Sequence, residues 1–203
     1  MFHKITEFEQ KIAEFYGASY AVATDCCTHA IELCLRISNV DQVEIPTHTY
    51  LSVPMTCAKI GLDWNWKEEA WQDYYYIGNT NIVDAAVFWK PNGYIPNTMM
   101  CLSFQLKKHL SIGRGGMILL DNKEQADLLR CMKYDGRLPD CSWKQQDIKI
   151  FGYHYYLTPE AAMIGLEKFP VAATTPARQW SFKDYPRLPD LTVFKNEKNL
   201  HLR

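Results

Sequence analysis

The chain has 203 residues, and 47% of them are hydrophobic, which is enough to bury the core of one compact domain. Its 22 lysines and arginines nearly balance 23 aspartates and glutamates, so the net charge of −1 disfavours binding to nucleic acid or to an anionic membrane. The seven cysteines include no C-x-x-C pair, which predicts reduced thiols and a cytoplasmic protein. We expect neither a secretion signal in residues 1–10 nor a membrane-spanning segment.

The first sixty residues predict helices and strands in alternation. A short amphipathic helix capped by Thr6 is predicted to end at Gly17, and a small strand over residues 18–24 follows it. A polar turn then opens a second helix. The same order of strand, turn and helix is predicted again over residues 43–46 and 50–60.

The remaining elements are three strands and a helix. The strands are predicted over residues 81–88, 99–104 and 116–120, and the helix over residues 123–134. The aromatic stretch between residues 62 and 80 is left unassigned.

The element order predicts an α/β fold in one domain with a tail. Because strands alternate with helices, we expect residues 1–168 to form a mainly parallel sheet with flanking helices. Residues 169–203 contain several prolines and little apolar periodicity. We therefore expect this segment to be extended and to wrap the body or a partner subunit.

A lysine lies between a predicted strand and a glycine-rich turn. Lys108 follows Ser103 and Phe104 at the end of one strand and precedes Gly-Arg-Gly-Gly at residues 113–116. Flanking strands would hold this lysine partly buried, where it can lose its proton near neutral pH and attack a carbonyl group. A surface lysine in a tight loop is an equally good interpretation of Lys108 taken alone.

Two other segments carry candidate binding groups. Residues 25–29, Asp-Cys-Cys-Thr-His, open a helix directly after a strand, so backbone N–H groups and the Thr28 hydroxyl can hold a phosphate there. Ordinary capping of the helix by Asp25 or Thr28 is the simpler alternative. Asp84 ends an apolar strand, where a carboxylate is costly unless a cation pairs with it. Capping of the next loop is the alternative for Asp84.

Taken together, these three features match one cofactor. A phosphate cradle, a carboxylate for a ring nitrogen and a lysine for an aldehyde are what pyridoxal phosphate (PLP) requires. A metal enzyme has little support, because the six histidines are far apart and lack the spacing of metal ligands.

The order and local sequence of these segments resemble those of the DegT/StrS-type sugar aminotransferases, which are PLP enzymes of fold type I. The resemblance runs in pieces from about residue 5 to residue 168. Its pieces are residues 8–35, 45–50, 83–86, 103–116, 134–137 and 152–155. The family pattern Ser-Phe-x-x-x-Lys falls on Lys108 and leaves Lys107 as a neighbour.

The resemblance implies a role for each candidate residue. Lys108 would bond to the aldehyde of PLP and later move a proton, and Asp84 would pair with the ring nitrogen. The turn that contains Cys27, Thr28 and His29 would bind the phosphate, the last through its backbone amide. Two further residues would complete the site: Ser103 as a phosphate ligand and Tyr50 as a stacking partner of the ring.

The chain also departs from the family pattern. Where the family commonly has Gln or His three residues after the carboxylate, this chain has Val87. The family's Gly-Tyr-Asn-Tyr-Arg corresponds to residues 152–156, where His154 replaces the Asn that reaches a partner's phosphate and Tyr156 replaces the Arg. His154 can still donate to phosphate. Little follows residue 168, so we expect a shortened fold that largely lacks the C-terminal small domain.

The resemblance implies a cytoplasmic homodimer that moves an amino group, from glutamate, to the keto sugar of a nucleotide sugar in amino-sugar and surface-glycan biosynthesis. A related branch of the family dehydrates sugars and has histidine in place of the lysine, which disfavours that activity here. The alternative class is a catalytically impaired homologue that binds PLP or serves a structural or regulatory role.

Overall fold

The computed structural model describes residues 2–195. In chain order the helices and strands are α1 (His3–Tyr16), β1 (Tyr20–Thr24), α2 (Cys27–Ile37), β2 (Gln42–Pro46), α3 (Ser52–Ile60), β3 (Asp63–Lys67), β4 (Tyr75–Tyr76), β5 (Ile82–Asp84), β6 (Met99–Ser103), β7 (Gly116–Leu120), α4 (Lys123–Met132), α5 (Pro159–Thr174) and α6 (Thr192–Lys195). None of the helices in residues 2–195 is long and apolar enough to cross a membrane.

The main sheet has five strands in the order β1-β7-β6-β5-β4, and β2 pairs with β3 in a separate sheet. Only β5 and β6 run parallel in the main sheet, and the other three pairs are antiparallel. The prediction of a mainly parallel sheet is therefore wrong, and the sheet is mixed. The physical reason is the connection between β6 and β7, which is a loop without a crossover helix and so returns the chain in the opposite direction.

Several predicted boundaries shift. The first helix begins at His3 with Phe2 as its N-cap, so Thr6 lies inside α1 and caps nothing. Gly17 ends that helix as predicted, in the left-handed conformation with φ 77°. The predicted strand over residues 81–88 ends early, at Asp84.

The boundary predicted at residue 168 falls inside a helix. Thr158 begins α5 by accepting a hydrogen bond from the backbone N–H of Ala161, and Pro159 occupies the first turn. The helix continues through Pro170 to Thr174, and the extended segment begins only after it. We call residues 176–191 the C-terminal strap.

Two hydrophobic cores lie on opposite faces of the main sheet. Met117 and Leu119 of β7 point into one core, with α1 and α5, and Ile118 and Leu120 point into the other, with α2 and α4. Both sets are buried because side chains alternate across a strand and helices cover both faces. The centre of the sheet therefore holds β6 and β7 rigidly, together with the loop between them.

The strap crosses one edge of the body and is held by backbone hydrogen bonds. The backbone N–H of Asp73 donates to the carbonyl of Trp180 at 2.8 Å, and that of Leu188 donates to the carbonyl of Thr47 at 2.8 Å. Leu188 is buried. The predicted extended tail thus packs on the body over its described part, and residues 196–203 lie outside the described residues.

Candidate active site

A cleft of about 720 Å³ opens between the start of α2, the end of β5 and the β6–β7 loop. Seven of the eight residues predicted from the sequence line it: Cys27, Thr28, His29, Tyr50, Asp84, Ser103 and Lys108. His154 does not. The fold thus brings together residues that are up to 81 positions apart, because β1, β7, β6 and β5 are neighbours in one sheet.

Lys108 is held in the cleft by the loop that carries it. The loop is closed by hydrogen bonds from the Phe104 N–H to the Gly115 carbonyl and from the Ile112 N–H to the Phe104 carbonyl, both 2.9 Å. The lysine itself is half-buried, and its amine forms no ion pair with any residue in the described part of the chain. Burial lowers the pKa of Lys108, against the smaller opposing effects of Cys27 and Asp84. The neighbouring Lys107 is exposed.

Asp84 is a buried carboxylate without a paired cation. Its side chain accepts a hydrogen bond from the Tyr75 hydroxyl at 2.6 Å and one from the Ala86 N–H at 3.0 Å. Burial raises the pKa of Asp84, although these two donors and the charge of Lys108 oppose the rise. Within residues 2–195 no lysine, arginine or histidine forms a salt bridge with it. A cation in the cleft would therefore stabilise the ionised form.

The N-terminus of α2 opens onto the same cleft. Cys26 occupies the N-cap position, and neither Asp25 nor Thr28 caps the helix with its side chain. Both capping alternatives are therefore wrong. The Thr28 hydroxyl instead shares a hydrogen bond of 2.8 Å with Ser52. The free N–H groups of a first helical turn favour an anion.

The glycine at the start of β7 allows this turn to form. A Cβ atom added to Gly116 would lie 2.4 Å from the backbone carbon of Cys26, which is closer than atoms can approach. The side chain of Cys27 is buried, and burial raises the pKa of its thiol, so this residue offers the cleft a backbone amide rather than a thiolate.

His29 carries charge beside the same turn. Its Nδ1 lies 2.6 Å from a carboxylate oxygen of Asp25, whose other oxygen accepts from Arg114 at 2.7 Å. Burial acts to lower the pKa of His29, but the hydrogen bonds to Asp25 and Cys26 raise it to about 9. The ring of Tyr155 stacks on that of His29 at a centroid distance of 3.6 Å. His29 is therefore a cation at neutral pH.

This ion pair predicts a pH dependence of stability. The folded pKa of His29, about 9, exceeds its ordinary 6.5, so its stabilising contribution is complete below pH 6.5 and is lost as the pH rises through 9. We expect His29→Gln to reduce the pH-dependent change in the free energy of unfolding by about 1 to 2 kcal/mol. This figure allows for the partial exposure of His29, which weakens the ion pair. The measurement is urea unfolding of both proteins between these pH values. Parallel pH profiles for the two proteins would contradict the assignment.

Tyr50 and Ser103 lie at the wall of the cleft. Tyr50 precedes α3, lines the cleft and leaves 59% of its surface exposed, so one ring face is free to stack. Ser103 is the last residue of β6 and is half-buried at the cleft wall.

His154 lies apart from the cleft. Its ring is exposed and its Nδ1 is 3.1 Å from a carboxylate oxygen of Asp135. The neighbouring Tyr156 packs against Tyr134 with ring centroids 5.0 Å apart. Val87, by contrast, lines the cleft and has no hydrogen-bonding side chain to offer there.

The structure adds residues that the sequence interpretation missed. They support the predicted ones or line the cleft: Ser52, Trp71, Tyr75, Arg114, Tyr155, Trp180 and Tyr185. Tyr75 lies in the aromatic stretch that was left unassigned, and Trp180 and Tyr185 lie in the strap. The only local signal was the density of tryptophan and tyrosine in these two segments.

The fold is similar to solved structures over 83% of this chain. AtS13 from Actinomadura melliaura is 18% identical with a TM-score of 0.72, and the sugar aminotransferase CalS13 from Micromonospora echinospora is 15% identical with a TM-score of 0.69. The PLP form of Spr1654 from Streptococcus pneumoniae is 16% identical with a TM-score of 0.65. The chain spans about 60% of the length of each. No curated protein sequence matches this chain significantly.

The fold is that of the large domain of the fold type I PLP-dependent transferases, in a reduced form. The model of the DegT/DnrJ/EryC1/StrS aminotransferase family matches residues 1–64 and 90–185. The chain belongs to that family.

The residues present fit the cofactor of this family, PLP. Asp84 is buried and lacks the cation that a protonated ring nitrogen would provide. The uncapped N-terminus of α2 offers N–H groups to a phosphate, and the lysine amine is free of ion pairs within the described residues. The cleft thus contains the three groups that the cofactor requires: a carboxylate, N–H donors for a phosphate and a lysine amine.

Proposed function

We propose that this protein is a PLP-dependent aminotransferase that moves an amino group from glutamate to the keto sugar of a nucleotide sugar, in amino-sugar and surface-glycan biosynthesis. One observation carries the proposal: Lys108, with a lowered pKa, and Asp84, a buried carboxylate that forms no ion pair within residues 2–195, line the same cleft beside the N-terminus of α2. Bound PLP would supply an electron sink at the substrate carbon.

The chain's own residues supply the proton transfer. Because burial favours the neutral amine of Lys108, its Nζ can accept a proton from a substrate carbon and return it to another atom. Asp84 would keep the ring nitrogen protonated, and Tyr75 would hold the carboxylate in place. Tyr50 is exposed enough to cover one face of the ring and exclude water from it.

The substrate class is supported by the family and by the size of the cleft. CalS13 is a sugar aminotransferase, and the cleft continues beyond Lys108, Asp84 and the start of α2 to the strap. All seven cysteines are free thiols in the structure, in keeping with a cytoplasmic enzyme.

The proposal is tested by following the cofactor through the two half-reactions. We expect added PLP to give a visible absorbance band, glutamate to discharge it to the pyridoxamine form, and one member of a panel of nucleotide keto sugars to restore it. Absence of any band in the parent protein would reject the proposal.

A second candidate is a homologue that binds PLP without catalysis, in a structural or regulatory role. It is favoured by Val87 at the cleft wall and by Tyr156, which packs among aromatic rings and carries no charge. The glutamate half-reaction separates the two candidates. A bound cofactor that no amino acid discharges would favour this second candidate.

We also propose a homodimer. The segment 137–151 exposes large apolar side chains, including 95% of Phe151 and 58% of Trp143, and His154 next to it is exposed and able to donate to a partner's phosphate. Such surfaces are costly unless another chain covers them.

The prediction is a mass of two chains by size-exclusion chromatography with light scattering. Replacing Phe151 by Asp should shift the population toward a single chain, whereas Leu106→Asp, at an exposed position on the Lys108 loop, serves as a matched control for added charge. A single-chain mass for the parent protein would contradict the proposal.

A further inference from the structure

The C-terminal strap contributes aromatic side chains to the wall of the cleft. Trp180 and Tyr185 both line it, and Trp71 of the body packs against Tyr185 and against Tyr75 of β4, with ring centroids 5.4 Å and 5.2 Å apart. Burial raises the pKa of Tyr185 most, and the negative charge of Asp84 raises it further. The strap is therefore close enough to Asp84 for the two to interact electrostatically.

Trp180 is fixed in position at both its backbone and its ring. Its carbonyl accepts from the Asp73 N–H at 2.8 Å, and its own N–H donates to the Asp73 side chain at 3.1 Å. The guanidinium of Arg178 lies over the indole at 4.0 Å and is itself paired with Asp184. An indole held in this way loses little entropy when a ligand packs against it.

The ring of Trp180 also lies beside the reactive lysine. The Lys108 Nζ is 5.8 Å from the centroid of the indole, within the range of a cation–π contact. Because Lys108 and Trp180 line the same cleft, an acceptor whose carbonyl group lies near the lysine has the rest of its molecule within reach of the indole. A broad apolar plane at that point favours a ligand with a flat or puckered ring whose C–H face can pack on it.

We propose that Trp180 is a specificity-determining residue that selects acceptors with a ring over open-chain keto acids. This inference rests on the proposed function, since it concerns the acceptor of the same site. The wall comes from the same chain as Lys108, so the selection does not require a second subunit.

The first experiment asks whether Trp180 lies beside bound cofactor. Excitation of tryptophan in the PLP-loaded protein should give sensitised cofactor emission, because energy transfer requires a nearby indole. We expect Trp180→Phe to lose more of this emission than Trp64→Phe, a residue of β3 that does not line the cleft. Unchanged emission in Trp180→Phe, with the visible band intact, would overturn the inference.

The second experiment compares two kinds of acceptor with the pyridoxamine form. For the reactive member of the nucleotide keto-sugar panel, Trp180→Ala should lower kcat/KM about threefold to tenfold, mainly through KM. For 2-oxoglutarate, which is open-chain, the change should stay within about twofold. Trp180→Phe, which retains an aromatic face, should restore most of the loss.

Two results would overturn the inference while leaving the proposed function intact. Equal losses with both acceptors would mean that Trp180 only positions Lys108. A faster reaction of Trp180→Ala with the keto sugar would mean that the indole blocks the site. A parent enzyme that uses only open-chain keto acids would overturn the inference and also reject the acceptor of the proposed function. Failure of the parent to form the visible band would instead reject the proposed function itself.

Discussion

Lys108→Ala should abolish both the visible absorbance of the PLP-loaded protein and its transfer of amino groups. The lysine is the half-buried amine of the cleft, and burial lowers its pKa toward the neutral form that can attack an aldehyde and accept protons. Loss of the proton transfer alone predicts a rate lower by about a hundredfold to ten-thousandfold. Absorbance titration with PLP and single-turnover reaction with glutamate measure the two effects.

Lys107→Ala is the matched control for this prediction. Lys107 is adjacent, has the same charge and is exposed, and its backbone N–H bonds to the Gln105 side chain at 3.0 Å. Although Lys107 also lines the cleft, its side chain is exposed, so we expect its removal to lower the rate far less than removal of Lys108 does. The assignment is wrong if the band survives in Lys108→Ala and disappears in Lys107→Ala.

The second large effect is expected from Asp84→Asn. The amide has the shape of the carboxylate, so its oxygen can accept from the Ala86 N–H while its NH2 group donates to the Tyr75 hydroxyl, but the negative charge that would pair with a ring nitrogen is removed. We expect kcat to fall about a hundredfold or more, because a charge aimed at the reacting system acts strongly where water is excluded. The bound cofactor should remain detectable, since Lys108 is unchanged.

Stability measurements separate this catalytic effect from damage to the fold. Burial raises the pKa of Asp84, so the free protein loses little or nothing when the carboxylate becomes a neutral amide. Tyr75→Phe provides the matched comparison, since it keeps the charge and removes one hydrogen bond worth about 1 kcal/mol. Full activity of Asp84→Asn in a folded protein would contradict the role assigned to the carboxylate.

The predicted site residues that the fold brings into the cleft are those whose neighbours in the chain position them. Gly116–Leu120 forms a strand with the predicted bounds because a buried apolar run follows glycine, and the strand that contains Asp84 ends at that residue. Lys108 could be singled out because the strands before and after it limit where the loop can place its amine.

The missed features depend on contacts between distant segments. The Tyr75 hydroxyl reaches Asp84 only because β4 pairs antiparallel with β5, and the strap reaches the cleft through backbone bonds to residues 47 and 73. The mixed sheet was missed for the same reason, since strand direction follows from connections and not from the composition of a strand. Local periodicity contains no information on these pairings.

The pairing of β1 with β7 has a consequence for how this protein is made. Thr24 and Gly116 are register partners in that pair, and the start of α2 and the Lys108 loop both adjoin that end of it. A ribosome must therefore release the chain through Leu120 before these two segments can be held together, and contacts of such long sequence separation form slowly. We expect the growing chain to gain affinity for PLP abruptly, when β7 emerges, rather than in steps as each binding group is synthesised.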